Sequence, residues 1–468
     1  MNPCLIVSCP TGYDEERKYI LKVLLEDFLG FSFIVHVGTQ KEYQISIQGD
    51  LRDKTLILAD VLFQTPLKEW LTHSSLQPHP LPVWDVSTDL PEQKPITSSI
   101  PIIYGEPFGG MWLAQKEHTL RLGLDIFGSA FFMLTRYEEL VKTERDEHDR
   151  FPAAASLAFQ EGFLERPIVE EYVEILLSCL QRLWPGINRK RDSFNIFLSH
   201  DVDHPFMICE DRWPTVFKNM AGDVLRRKKP GLAIRRFSCR WSKNILSDPT
   251  NSFDFILEQS EHFGLNSEFY FIADHTAKFD GTYAINNPEI KVLMRRIHER
   301  GHKLGLHSSY NSYRNSFQLC HEYKRLLQVA SELGIKQDAW GGRQHFLRWE
   351  NPTTWQTWED ASLDYDTTLS YADHIGFRCG TSKGYPVFNL RTREPLELRE
   401  LPLLVMDRTL FDQKYMGLTP EQALEKIAQL SNMCRRFSGT FSMLWHNTSL
   451  AWDEEKQLFR EIMKTIVL

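Results

Sequence analysis

The chain lacks the features that would commit it to a specialised class. Its eight cysteines, Cys4, Cys9, Cys179, Cys209, Cys239, Cys320, Cys379 and Cys434, are scattered, and none forms a C-x-x-C pair. That spacing gives no support to a thiolate zinc site or a redox dithiol, and it fits small buried hydrophobes in a reducing compartment. No stretch approaches the roughly 20 apolar residues needed to span a bilayer. The one apolar run near the start, Cys4 to Val7, leads into Asp14-Glu15-Glu16, unlike a signal or transit peptide. These absences predict a cytoplasmic protein without a transmembrane segment. Positive charge is also short: 54 Lys and Arg stand against 62 Asp and Glu, a formal net charge of -8 that argues against a nucleic-acid partner. Two basic clusters, Arg226-Arg227-Lys228-Lys229 and Arg235-Arg236, read as solvated faces without aromatic interleaving.

What is present is a soluble globular composition, 42% hydrophobic and 25% charged, over 468 residues, a length that suggests two or three domains. Short strand signals (Leu5 to Val7, Phe31 to Val37, Thr55 to Ala59) alternate with a helical pattern from Glu15 to Leu29, predicting a small α/β unit. The proline-rich stretch from 76 to 101 reads as an ordered loop. Asp125 to Leu140 reads as a buried helix, Glu144 to Arg150 as a solvated loop, and Glu170 to Trp184 as a helix stopped by Pro185-Gly186. The polar run that follows sets a boundary between an N-terminal α/β domain, 1–187, and a second domain, 188–468. Beyond it, strands near 194–198, 267–273, 303–306 and 439–444 alternate with helices over 288–300 and 320–333, closed by Gly301 and Gly334. Such βα alternation predicts a parallel sheet, open or closed into a barrel, with chemistry at the strand ends.

The chemistry-bearing residues gather at those ends. The apolar strand Phe194 to Leu198 stops abruptly in Ser199-His200-Asp201-Val202-Asp203-His204. A strand places i and i+2 on one face, and two carboxylates that close need a cation or a shared proton between them. Further along come Gly301-His302-Lys303-Leu304-Gly305-Leu306-His307-Ser308-Ser309-Tyr310-Asn311, Gly341-Gly342-Arg343-Gln344-His345-Phe346-Leu347-Arg348, Asp364-Tyr365-Asp366, and Met443-Leu444-Trp445-His446-Asn447. A metal, a base carboxylate and an imidazole acid together suffice for amide hydrolysis. The ion polarises the carbonyl and acidifies water, the carboxylate takes a proton, and the imidazole delivers one to nitrogen.

In order and spacing these pieces resemble the polysaccharide deacetylase superfamily, the NodB-homology or carbohydrate esterase family 4 proteins. Residues 301–311 are similar to that family's Gly-His-Glu-Ile-Gly-x-His-Ser/Thr-x-x-His motif, and the strand Glu268 to Ile272 looks like its Ala-Thr-Phe-Phe strand. The Ser-His-Asp-Val-Asp-His and Arg-Gln-His-Phe-Leu-Arg wording is similar to that of a bacterial subgroup with an extra N-terminal domain. The resemblance covers about residues 194 to 450. It implies a distorted (β/α)7 TIM-like barrel holding one divalent metal, usually zinc, and a hydrolase that removes N-acetyl groups from amino sugars in bacterial surface-polysaccharide metabolism.

Carried over residue by residue, the resemblance makes Asp201 the catalytic base, Arg343 its partner and His446 the proton donor to the leaving amine. Asp203, His307 and Asn311 become the metal ligands, and Tyr310 and His345 bind substrate. Asp364 or Asp366 is expected to orient His446. Two departures stand out: Val202 separates carboxylates that the family sets side by side, and Asn311 occupies the place of its second metal histidine. His345, His204 or His200 are therefore alternative ligands. The aromatics Trp340, Phe346, Trp349, Trp355 and Trp358 divide between core and sugar-stacking rings, with core favoured. Two other readings remain: an amidase of the same fold acting on a small molecule, and a non-catalytic glycan-binding relative.

Overall fold

Strand alternation organises the first third of the chain. In the computed structural model, which describes residues 3–90, 98–190, 192–206, 213–225, 230–242, 244–281 and 283–468, eight strands form before residue 123. They are β1 (Leu5–Pro10), β2 (Phe33–Gly38), β3 (Tyr43–Ile47), β4 (Thr55–Leu58), β5 (Val83–Asp85), β6 (Ser99–Pro101), β7 (Leu113–Lys116) and β8 (Thr119–Leu122). Six of them make one mixed sheet in the order β2-β1-β3-β4-β8-β7, while β5 and β6 pair separately. Leu5, Val7 and Cys9 present the buried face of β1. The helix Asp14–Leu21, continued by a wider-wound turn over Lys22–Phe28, buries Tyr19, Ile20, Val23 and Leu24. The β5–β6 ladder corrects the loop expected over 76–101. Trp84 and Ile100 supply buried apolar anchors, and Pro101 stands opposite Val83 at the end of the ladder. Cys209 and the cluster Arg226 to Lys229 lie outside the described residues.

The second half builds a nine-stranded sheet from β9 (Asn195–Val202), β10 (Glu268–Ile272), β11 (Lys303–Ser308), β12 (Gly341–Gln344), β13 (Tyr365–Asp366), β14 (Tyr385–Asn389), β15 (Glu394–Glu400), β16 (Val405–Met406) and β17 (Thr440–Leu444). Its order is β14-β15-β13-β12-β11-β10-β9-β17-β16. All neighbours are parallel except the β14–β15 hairpin. The last strands return beside the first, so the sheet curls, and among the described residues no ladder bridges β15 to β16.

Helices join these strands and are punctuated as their sequences require. Asn287 caps Pro288–Glu299 by accepting from Glu289 N, and Thr419 forms a capping box on Pro420–Arg436. Gly301 and Gly334 follow their helices at φ 83° and 73°, left-handed positions that cost a side-chain-bearing residue more. Inside the curl, Gly342 is obligatory for another reason: a Cβ there would lie 1.8 Å from the Leu306 carbonyl oxygen.

One hydrophobic core runs through both halves. Tyr19 and Phe131 from the first pack on Phe388 of the second. Polar groups buried between them are paired: Arg378 grips Glu139 with two hydrogen bonds of 3.0 and 2.6 Å, and Arg136 adds a third at 2.8 Å. Trp349, Trp355 and Trp358 are core residues. No helix among the described residues is long and apolar enough to cross a membrane.

Candidate metal and acid–base site

The parallel strands end at one rim, and register lines up the side chains there. Ile272, His307 and Arg343 share one row across β10, β11 and β12. Along β9, Ser199 and Asp201 face the interior, where both meet the Arg343 guanidinium. His200 faces the other way, against the Phe269 ring, with its Nδ1 on the Trp445 carbonyl oxygen at 2.7 Å. Burial pushes its pKa down to about 4, and it is a neutral packing residue away from the cluster.

Three donor atoms converge at this rim. Asp203, His307 and His345 each offer one ligand atom, and all three lie within 4.8 Å of one another. His307 Nε2 stands 3.1 Å from Asp203 Oδ1, and His345 Nε2 stands 3.6 Å from it. Neither ring is free to rotate. His307 Nδ1 is 2.9 Å from the Arg343 carbonyl oxygen, and His345 Nδ1 is 2.9 Å from Asp280 Oδ1. Both partners can only accept, so each Nδ1 carries a proton, and each Nε2, turned toward Asp203, is left to hold either a second proton or a metal ion. Asp203 Oδ1 is itself buried and makes no hydrogen bond, an orphan that a cation would satisfy. Two imidazoles and a carboxylate, with histidines held by a carbonyl and a carboxylate, are the donor set of a borderline divalent ion such as zinc.

Electrostatics favour positive charge at this point. Burial pushes the Asp203 pKa up, but His345, His307 and His446 outweigh it and hold the carboxyl well below its ordinary range. Burial lowers the His307 pKa, yet Asp201 and Asp203 raise it overall. A proton or a metal ion answers the same demand.

Two pairs flank the triad. Arg343 Nη1 donates to Asp201 Oδ1 at 2.7 Å, while Asp201 Oδ2 faces His307 Nε2 at 3.7 Å. On the other side His446 Nε2 lies 3.6 Å from Asp203 Oδ2, and its Nδ1 is 2.7 Å from Asp407 Oδ1. Burial alone would lower the His446 pKa; Asp407 first, then Asp203 and Asp201, raise it to about 9. Its ring is therefore protonated at neutral pH.

The structure thus gathers Asp201, Asp203, His307, Arg343 and His446, and it corrects three expectations. Asn311 does not reach the cluster. Its amide nitrogen donates to the Thr276 carbonyl oxygen at 3.0 Å, and its amide oxygen accepts from Arg348 at 3.2 Å. His345, expected at the substrate or as an alternative ligand, stands with Asp203 and His307 as the third candidate ligand. Neither Asp364 nor Asp366 orients His446: Asp364 is exposed and accepts from Trp340 N, and Asp366 accepts from Thr368. Asp407 does that work. His204 is outside the triad as well.

Tyr310 lies beside the cluster, its hydroxyl 2.9 Å from His148 Nδ1. Phe279, Phe346 and His148 complete a group of rings around it, with centroids 4.7 to 5.9 Å apart, and Phe346 also touches His345. His148 belongs to the stretch expected to be a solvated loop. That loop is instead docked: Arg150 is buried, paired with Asp146 and bonded to the Phe346 carbonyl oxygen at 3.1 Å. Sequence reading missed Asp280, Asp407 and His148. For Asp407 a signal existed, the apolar run Leu403-Leu404-Val405-Met406 ending in a carboxylate.

Comparison with known proteins adds three findings. Residues 5–185 match a family of unknown function, DUF7033. No curated protein matches the chain. Among solved structures, one named “putative polysaccharide deacetylase from Mycobacterium smegmatis” is similar over 59% of this chain and 85% of its own, at 16% identity and a TM-score of 0.38. That likeness is loose, and the reading of the site rests on the site's own geometry.

Proposed function

We propose that the chain is a metal-dependent hydrolase of the polysaccharide deacetylase type, its second half a variant of the NodB-homology barrel. The substrate would be an N-acetylated amino sugar of a bacterial surface polysaccharide. The observation that carries this reading is the convergence of Asp203, His307 and His345 between a buried Asp201–Arg343 pair and a buried His446–Asp407 pair.

A divalent ion held by Asp203, His307 and His345 would supply Lewis acidity toward an acetyl carbonyl and toward water. The other roles belong to this chain's side chains. Asp201 has one carboxylate oxygen fixed by Arg343 and the other turned toward the cluster, the arrangement of a general base that must accept a proton without rotating. His446 holds a proton on each nitrogen at neutral pH. Asp407 keeps Nδ1–H engaged, so Nε2–H is the proton available to a leaving amine. Amide cleavage needs both transfers, because an amine leaves poorly as an anion. Both groups border the triad, Asp201 Oδ2 at 3.7 Å from His307 Nε2 and His446 Nε2 at 3.6 Å from Asp203 Oδ2, so base and acid can serve one bound amide. The rings of Phe279, Tyr310 and Phe346 beside His345 suit a sugar face.

The test is acetate release from a panel of N-acetylhexosamine substrates by the purified chain, stripped of metal and then reloaded with zinc or cobalt. Metal-dependent acetate release is the expected result. Ammonia from simple amides without acetate from any sugar would favour the small-molecule amidase reading. No metal binding at all would leave only the non-catalytic one.

A further inference from the structure

The connection leaving Asp203 is long, running from Val202 at the end of β9 to the helix Phe253–His262. Within it the helices Trp213–Leu225 and Pro230–Ser242 pack on each other, and their contacts are overwhelmingly mutual. The seam is well made. Val216, Ala233 and Cys239 are buried in it, and Arg236 Nε meets Asp223 Oδ2 at 2.9 Å.

The outer face is the opposite of a solvated surface. Trp241 is 72% exposed, Leu225 77% and Ile234 70%, and Phe217 and Phe237 are exposed beside them. The rings form a continuous strip: Trp213 lies 5.6 Å from Phe217 and 5.7 Å from Phe237, which lies 6.0 Å from Trp241. Contiguous exposed apolar surface on this scale marks an interaction site. Its charge is one-sided as well. The two helices carry Lys218, Arg235, Arg236 and Arg240 against the single acid Asp223, in a chain whose net charge is -8. Arg240 sits over the Trp213 ring at 5.3 Å, so cation and aromatic share one patch. The expectation that Arg235-Arg236 forms a plain solvated face is corrected here: Arg236 is buried in the seam, and Arg235 is exposed on a helix that also carries Phe237 and Trp241.

We propose that the helices Trp213–Leu225 and Pro230–Ser242 form a docking element for an anionic phospholipid surface. Aliphatic and aromatic side chains on one exposed face enter the headgroup–acyl boundary, where Trp and Phe are favoured. Arginine and lysine stay with anionic headgroups. Leu225 and Ile234 favour lipid over a nucleic acid, which would stack on the rings and leave the aliphatics in water. The pair lies on the membrane and does not span it, since no described helix has the length or hydropathy. It follows β9, the strand that carries Asp201, in the chain. Docking itself does not depend on the hydrolase reading.

The experiment is co-sedimentation of the full chain with vesicles of equal parts phosphatidylglycerol and phosphatidylcholine, and with phosphatidylcholine alone. Binding to the mixed vesicles should exceed binding to the neutral ones by at least about tenfold and weaken as salt rises. Phe217→Ser combined with Trp241→Ser should lower it about tenfold or more, and so should Arg235→Glu with Arg240→Glu. Phe217 and Arg235 are exposed, whereas Trp241 and Arg240 touch the Trp213 ring across the pair. Circular dichroism and thermal melting check each variant, and Leu225→Ser with Ile234→Ser, at side chains 77% and 70% exposed, repeats the apolar test should the fold change, with the same tenfold loss expected. Failure to bind the anionic vesicles overturns the proposal, as does binding that both double variants retain. A dimer that either double variant dissociates, or capture of single-stranded RNA without vesicle binding, also overturns it.

Discussion

Asp280→Asn isolates the tautomer argument on which the metal site stands. Asp280 is buried, and its two oxygens serve five donors, the Thr276 hydroxyl at 3.2 Å from Oδ2 among them. Oδ2 accepts from Thr276 N at 2.7 Å and Ala277 N at 2.9 Å, and Oδ1 accepts from Tyr310 N at 2.7 Å and faces His345 Nδ1 at 2.9 Å. Burial works against ionisation, but the His345 contact and the two backbone donors win, and the carboxyl titrates at about 2. An asparagine can serve only one of these two faces. With its oxygen toward Thr276 and Ala277, its NH2 confronts the Tyr310 N–H and the His345 ring.

His345 then gains by accepting at Nδ1 and moving its proton to Nε2, the atom that faces Asp203. A protonated Nε2 cannot bind a metal. Loss of such an outer partner typically costs about 10–100-fold in affinity, or about 1.4–2.7 kcal/mol. Zinc titration against a chromophoric chelator measures it directly. His345→Ala should lose the metal more completely, and Asn311→Ala should leave affinity unchanged. Wild-type affinity in both Asp280→Asn and His345→Ala would refute the triad. Loss confined to Asn311→Ala would restore the ligand set that the family motif implied.

Asp201→Asn should abolish turnover, a drop of about 10²–10⁴-fold or more, while metal content stays near wild type; metal loss would mean that Asp201 is a ligand. His446→Ala should lower kcat far more than it raises KM, since proton donation occurs in the transition state; an effect confined to KM would make it a binding residue. Asp407→Asn should move the alkaline limb of the kcat profile to lower pH, because Asp407 is the largest cause of the raised His446 pKa. The sign follows from the raised value: the proton is held below the pKa and lost above it, so activity falls as pH rises through that limb. Glu139→Gln takes from Arg378 its buried carboxylate and from Arg136 one of two, Glu138 remaining, and should cost about 3–5 kcal/mol in denaturant unfolding, with little change in the metal titration.

The parts of the site legible in the sequence are those carried by local pattern. An apolar strand ending in Asp201 and Asp203, and glycines closing two helices before His307 and β12, declare themselves within a few residues. Asp280 and Asp407 do not, and the role of His345 stays open between ligand and substrate contact, because their partners lie across strands and the register that joins them is not written locally. β16 is two residues long, so the short apolar run before Asp407 carries no periodicity that marks it as a strand. Asn311 matched a motif position but not its geometry: Thr276 and Arg348 hold both ends of its amide. The run from Glu144 to Arg150 misled through charge. Arg150 can be buried because Asp146, the Tyr415 hydroxyl and the Phe346 carbonyl satisfy its guanidinium.

That same run explains why the first half of the chain bears on the chemistry of the second. Phe346 and Leu347, directly after His345, have φ of 62° and 55°, a left-handed conformation costing of order 1–3 kcal/mol per residue outside glycine. Such a segment stays put only if its surroundings over-determine it. The clamps come from residues 148 to 150. Arg150 bonds the Phe346 carbonyl oxygen, and Arg348 donates to the His148 carbonyl oxygen at 2.9 Å and to Asp149 Oδ2 at 2.8 Å. His148 then ties Tyr310, whose backbone N–H is bound to Asp280. The ring of contacts closes on His345 from both sides: Asp280 fixes its tautomer, and the docked loop fixes the backbone that follows it. A candidate metal ligand followed by strained backbone, and held by a distant part of the chain, ties the first half to the candidate site.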